Sequence, residues 1–378
     1  MIKYPFLNLG IVNEPYREAL IDASRRVIES GRYIGGTEVE CLEKEMSDMV
    51  GTEYAVAVSN GLDALRLTLR AMIQLGQLRY GDGVIVAANT YIASVLAIID
   101  AGLAPVLVDP DPDTMNLSAE GVDRAMKPSV KAVMPVHLYG RVAWSGDIRD
   151  IVERHNLMVV EDCAQSIGAI ASEKGLGGST HAGALGHAGA FSFYPTKNIG
   201  ALGDAGIITT SSAELANAIR ALANYGSDRR YHNIYTGFNC RMDPIQAAML
   251  RVKLPHTTHE NADRFARALA YSRTISNPLV EKPLMSSAVT DCVWHQYVIK
   301  ILNGKRDAFR QQLLAHGVET DIHYATPPHM QPCLASLAHS CLPVTERLAS
   351  QVLSLPIARG TSVKEASEIA EIINGITL

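Results

Sequence analysis

Between residues 50 and 225 the chain alternates short, nearly continuous apolar runs with stretches whose apolar residues recur every three or four positions. The runs Tyr54–Val58, Val84–Ala87, Pro105–Val108, Ala132–Val136, Met158–Val160, Ala190–Phe193 and Gly206–Thr209 read as strands. Gly61–Ile73, where Leu62, Leu65, Leu69, Met72 and Ile73 mark one apolar face, reads as a helix. Strands that are apolar throughout are buried on both faces. Alternation with helices therefore predicts an α/β fold, a mostly parallel seven-stranded sheet sandwiched by helices. Such sheets collect ligands beyond the carboxyl ends of their strands, so the polar residues just after each strand are the candidate chemistry.

After about residue 260 the pattern changes. Arg264–Ile275, Ala308–His316 and Val363–Ile373 read as helices, while Val293–Ile301 alternates as a half-exposed strand does. Pro278, Pro283, Pro327 and Pro328 mark turns. These patterns divide the chain into an N-terminal cap (1–30), a large α/β domain (31–259) and a smaller α+β domain (260–378). The 378 residues exceed what one core usually serves, which agrees with that division.

The hydrophobic share of 47% and charged share of 19% exclude a disordered chain. A net charge of -5 argues against binding nucleic acid, whose phosphates select basic proteins. The uncharged run between Asp82 and Asp100 approaches spanning length, but Asn89, Thr90 and Ser94 interrupt it. It reads as a buried strand turning into a helix, so no membrane role is expected. No secretory leader is evident, and the six cysteines lack C-x-x-C spacing, reading as buried small hydrophobes in a reducing cytoplasm. No P-loop, dinucleotide fingerprint, H-E-x-x-H or other metal motif is present.

Three strand ends carry more. Gly61 follows Ser59–Asn60 and opens a helix, either as a plain tight turn or as an anion site at a helix N-terminus. The strand LMVVEDCAQ ends in Glu161, Asp162 and Gln165, with Asp162 either a helix cap or a carboxylate in the ligand crevice. In GAFSFYPTKNIGALGDAG one lysine, Lys197, sits among apolar and glycine residues, either solvated on a loop or desolvated as a Schiff-base amine. Together, an anion turn, a strand-end acid and a loop lysine answer the needs of pyridoxal 5′-phosphate (PLP). That cofactor requires a phosphate site, a partner for its ring nitrogen and a lysine to bond its carbonyl carbon.

At these residues the chain resembles the fold-type I PLP enzymes, and within them the DegT/StrS nucleotide-sugar aminotransferases. The resemblance runs through SGRYIGGTEVECLEKE, SNGLDAL, VDPDPDTMNL, VMPVHLYG, VVEDCAQSIGA, FSFYPTKNIGALGDAG, GFNCRMDPIQAA, WHQYVIK and IHYATPPHMQ, almost the whole chain. It implies that Lys197 bonds the cofactor, Asp162 pairs with the ring nitrogen and Gln165 reaches the ring hydroxyl. It further implies that Tyr91 stacks on the ring, that Gly61, Leu62 and Ser192 hold the phosphate, and that Asn239 reaches the phosphate of a neighbouring subunit in a homodimer with shared sites. In isolation Tyr91 reads as a core aromatic and Asn239 as a turn residue. Many family members carry Ser or Thr where this chain has Leu62, so only the Leu62 backbone N–H remains as donor, and Asp63 is expected to turn away.

Arg229, Arg230, Tyr231, His232 and Arg241 offer donors for a diphosphate, or form a solvated basic loop. Tyr194 and His323 are further substrate candidates, or braces for their neighbours. The KNIGALGDAG stretch is similar to that of sugar 3-aminotransferases. The resemblance therefore implies transfer of an amino group from L-glutamate to C3 of a dTDP- or UDP-linked keto sugar. A 4-keto sugar aminotransferase and a PLP-binding regulator without turnover stay open as alternatives.

Overall fold

The computed structural model describes residues 2–285, 290–338 and 340–378. Seven strands form the central sheet: β1 (Tyr54–Val58), β2 (Gly83–Ala87), β3 (Ala104–Val108), β4 (Val130–Met134), β5 (Met158–Asp162), β6 (Ala188–Ser192) and β7 (Gly206–Thr210). Their order is β1-β7-β6-β5-β4-β2-β3, with β7 antiparallel to both neighbours and the other pairs parallel. β4 lies two residues earlier than the run Ala132–Val136, and Val136 makes only an isolated bridge to Asp162. β6 likewise ends at Ser192, where its pairing with Gly206 stops.

Alternate residues of β1 feed two cores. Val56 and Val58 pack with Leu65, Leu69 and Met72 of the helix Gly61–Gln74, on one face of the sheet. Ala55 and Ala57 pack with Leu42 and Met46 of the helix Thr37–Val50, on the other. Both faces are thus covered, which is why the strands carry so few polar side chains. The run between Asp82 and Asp100 becomes β2 followed by the helix Ile92–Asp100.

A three-stranded antiparallel sheet, Val280–Glu281, Tyr297–Ile301 and Val352–Leu355, lies further along the chain. Tyr271 of the long helix Thr257–Thr274 packs there with Trp294, Tyr297, Phe309 and Ile369, and Tyr4 joins the same core. The expected half-exposed strand is corrected here: Tyr297–Ile301 is buried throughout. Its apparent alternation came from Lys300, a residue only 5% exposed, whose amine donates to the Pro112 carbonyl at 2.9 Å and pairs with Glu281. The cysteine reading is also corrected, since Cys163, Cys240 and Cys292 are buried but Cys41 is half-buried and Cys333 and Cys341 are exposed. Among the described residues, no helix is long and apolar enough to cross a membrane.

Candidate active site

The carboxyl ends of β1, β5 and β6 lie side by side because β7 runs backwards between β1 and β6. At Gly206, where β7 begins, a Cβ would come within 2.3 Å of the Asn60 carbonyl oxygen. Only glycine lets the turn after β1 close down here. Asn60 caps the helix Gly61–Gln74 by accepting from the Asp63 N–H at 2.8 Å. That leaves the first N–H groups of the helix, those of Gly61 and Leu62, without intrahelical partners. A Cβ on Gly61 would come within 2.6 Å of the Ser192 Cβ, so the helix start sits directly on the end of β6. The Asp63 carboxylate is turned away, held by Ser59, Asn60 and Arg66. The result is two free N–H groups and a Ser192 hydroxyl in one cradle at the positive end of a fourteen-residue helix.

Asp162 ends β5 and is 6% exposed. It caps no helix. Its Oδ1 accepts from the Ala164 N–H at 3.1 Å and its Oδ2 from the Ser94 hydroxyl at 2.7 Å. The Ser94 oxygen lies 2.7 Å from the Thr90 hydroxyl. A carboxylate only accepts, so the Ser94 proton points to Asp162 and Thr90 donates to Ser94. The neighbouring Glu161 points to the opposite side and is wholly buried. It accepts from the N–H groups of Gly183, Leu185 and Gly186 and from His137.

A cavity of about 530 Å³ joins these elements. Around it stand Gly61, Leu62, Tyr91, Asp162, Gln165, Ser192, Tyr194, Lys197 and His323, all singled out from sequence. Lys197 keeps part of its surface open to the cavity but is enclosed by protein, and this burial lowers its amine to about 8 against the opposing pull of Asp162. Tyr91 is 54% exposed, so it is no core aromatic; its ring lies 5.2 Å from that of Tyr324. Gln165 accepts from the Tyr139 N–H at 2.5 Å and donates to the Tyr324 hydroxyl at 3.2 Å. The His323 Nδ1 lies 2.8 Å from the Ser354 hydroxyl, and burial lowers its pKa.

Asn239, Arg229, Tyr231 and Arg241 do not line this cavity. Asn239 and Arg229 are exposed, Tyr231 is 86% exposed, and the Arg241 guanidinium donates to Asn224 at 2.5 Å. Cavity residues that sequence reasoning passed over are Thr90, His295, Gln296 and Tyr324, with Ser94 just behind. Thr90 and Ser94 were legible only as a polar pair at i,i+4 in an apolar run, and His295 as a polar residue within CVWHQYVIKI.

The residues present fit PLP on three independent counts: an anion cradle that a side chain at Gly61 would fill, a buried carboxylate fixed at a strand end, and a lysine amine shifted toward neutrality in the space between. A family model described as the DegT/DnrJ/EryC1/StrS aminotransferase family matches residues 15–374. The dTDP-3-amino-3,6-dideoxy-alpha-D-galactopyranose transaminase of Aneurinibacillus thermoaerophilus is 41% identical over 370 residues, covering 98% of each chain. The dTDP-3-amino-3,4,6-trideoxy-alpha-D-glucose transaminase of Streptomyces venezuelae is 40% identical over 358 residues, 94% of this chain and 91% of that one. The solved structure of S. venezuelae DesV, in complex with a ketimine intermediate, matches at a TM-score of 0.91 and 39% identity, covering 99% of this chain and 98% of that one. The chain belongs to the DegT/DnrJ/EryC1/StrS family of PLP-dependent aminotransferases.

Proposed function

We propose that this enzyme transfers an amino group from L-glutamate to C3 of a dTDP- or UDP-linked keto sugar. The observation that carries the reading is the single cavity in which Lys197, Asp162 and the open start of the helix Gly61–Gln74 converge. The choice of C3 rests on the relatives, which are named for 3-amino sugars. When bound, PLP supplies an electron-withdrawing ring that spreads the charge developing on the donor carbon.

The chain's own groups do the rest. The N–H groups of Gly61 and Leu62 and the Ser192 hydroxyl bind the cofactor phosphate, with the helix dipole adding attraction. Asp162, kept in place by Ser94 and the Ala164 N–H, holds a proton on the ring nitrogen. Gln165 reaches the ring hydroxyl, and Tyr91 covers one face of the ring. Lys197 is the lysine that bonds the cofactor. Once free, its Nζ would take up the proton that leaves the donor's α-carbon and give it back across the transferred nitrogen. Burial favours the neutral amine that this task needs. Tyr194 and His323 border the space left for the sugar nucleotide.

Asn239, Arg229, Tyr231 and Arg241 lie outside the cavity of their own chain, and we read them as serving the site of a second copy in a homodimer. The test is a panel of 3-keto and 4-keto dTDP- and UDP-sugars with L-glutamate, with products located by NMR. A 3-amino product supports the reading. Amination at C4 overturns the regiochemistry, and failure of glutamate to convert bound PLP to its amine form overturns turnover itself.

A further inference from the structure

The turn after β6 that carries Lys197 has little backbone structure of its own. Among the described residues, the stretch from Tyr194 to Gly200 makes a single backbone–backbone hydrogen bond, from the Lys197 N–H to the Tyr194 carbonyl at 2.9 Å. Side chains hold the rest. The Lys253 amine donates to the carbonyl of Gly200, further along the turn. Asn198, next to Lys197, is buried and hydrogen-bonds to Asn261, Val293 and His295. None of the roles assigned above uses it.

Two backbone carbonyls, which only accept, fix the direction of every bond in this group. The Asn261 Nδ2 donates to the Ile167 carbonyl at 2.9 Å, so its Oδ1 faces Asn198. The Asn198 Nδ2 donates to that Oδ1 at 2.9 Å and to the Val293 carbonyl at 3.0 Å. The Asn198 Oδ1 is left for His295, whose Nδ1 donates to it at 3.0 Å. Both amide protons and the amide oxygen are thus engaged, with Asn261 and His295 buried as well. The bonds reach separate parts of the fold. Asn261 lies on the helix Thr257–Thr274, and Val293 and His295 lead into the strand Tyr297–Ile301. Ile167 follows Asp162 and Gln165 on the stretch that leaves β5. Two side-chain amides therefore tie the lysine turn to the stretch bearing both groups that face the cofactor ring. Aspartate at 198 would keep the shape but, lacking an N–H, would set its oxygens against the Val293 carbonyl and the Asn261 Oδ1.

We propose that Asn198 is a positioning residue that fixes the backbone of Lys197 relative to Asp162 and Gln165, so that the amine meets the carbonyl carbon of a cofactor whose ring those two residues hold. A lysine amine sits on a flexible stem, so its aim is only as good as the anchoring of the backbone beneath it. This inference rests on the reading of Lys197 as the cofactor lysine.

The test compares two forms of the cofactor by equilibrium binding. PLP can bond to Lys197 and pyridoxamine phosphate cannot, while both use the phosphate cradle, Asp162 and Gln165. Asn198→Ala should weaken PLP about tenfold and leave pyridoxamine phosphate within about twofold of the wild type. Asn198→Asp, which keeps only the bond to His295, should do the same. Asn261→Ala removes the shared amide bond from its other side and stands in where Asn198→Ala does not fold. Combined with Asn198→Ala it should cost less than the sum of the two single losses. Equal weakening of both ligands would make Asn198 a residue of general stability and overturns the inference. So does wild-type PLP binding in either Asn198 variant, or in Asn261→Ala where that stands in, and so do additive losses in the double variant. Lys197→Ala sets the full effect, weakening PLP more than Asn198→Ala does and again sparing pyridoxamine phosphate. Wild-type PLP binding in Lys197→Ala would instead remove Lys197 as the cofactor lysine.

Discussion

Replacing Glu161 by Gln should destabilise the protein although the substitution changes a single heavy atom. Glu161 Oε1 accepts from the Leu185 N–H at 2.8 Å and the Gly186 N–H at 2.9 Å. Its Oε2 accepts from the Gly183 N–H at 2.8 Å and from His137 Nε2 at 2.9 Å. The His137 Nδ1 is already an acceptor for the Ala143 N–H at 3.0 Å, so its Nε2 must donate and cannot reverse. Glutamine has one acceptor oxygen. Whichever way its amide turns, an NH₂ group faces two donors and both lose their acceptor. Glu161 is fully buried, so no water replaces the lost oxygen. Two unsatisfied buried donors cost about 2–6 kcal/mol together. For a chain of this size that corresponds to a fall of roughly 3–8 °C in the thermal midpoint. The assay is thermal unfolding followed by circular dichroism, with and without PLP. The added stability from PLP should also shrink, because Asp162 is the next residue and hydrogen-bonds through its backbone to Pro135 and His137. A Gln variant that melts with the wild type would mean that the four donors around Glu161 do not need both carboxylate oxygens.

Ser94→Ala removes a charge-assisted hydrogen bond to Asp162 and should weaken PLP affinity about tenfold, measured by equilibrium binding, while Ser94→Thr should bind as the wild type does. Gly61→Ala would drive a methyl group into Ser192 and should abolish PLP retention on gel filtration with little loss of secondary structure. In the cofactor-free protein Lys197 has a folded-state pKa of about 8, below its ordinary 10.5. The folded state therefore resists protonation, a penalty fully present below pH 8 and relieved as pH rises from 8 to 10.5. Lys197→Met should accordingly raise the melting temperature of cofactor-free protein at pH 7, and the advantage should fade across that window.

The sheet was legible because parallel strands buried on both faces must be apolar, and all seven runs lie within two residues of the observed strands. Lys197 and Asp162 stood out for the same reason, as charges where the pattern demands none. His295 and Tyr324 were hidden because they come from beyond residue 290 and share a cavity with Lys197 only through packing. Ser94 looked like a helix residue in an apolar run, and its task shows only when β5 brings Asp162 beside it. Val293–Ile301 misled because a buried lysine satisfied by Glu281 and the Pro112 carbonyl imitates a solvent-facing position. Arg229, Tyr231, Arg241 and Asn239 carry hydrogen-bonding side chains that suit an anion, and that they lie away from the cavity of their own chain shows only in the fold.

Lys253 sharpens the central question. Its amine is also lowered to about 8 by burial, yet it donates to the Gly200 carbonyl at 2.6 Å and borders no part of the cavity. A shifted pKa alone does not distinguish the two lysines; the cavity with Asp162 and the helix start does. Borohydride reduction of the PLP-loaded enzyme, followed by peptide mass spectrometry, decides between them. One pyridoxyl adduct per chain is expected, on Lys197, together with loss of the visible absorption band in Lys197→Ala. An adduct on Lys253, or a band that survives in Lys197→Ala, would contradict it.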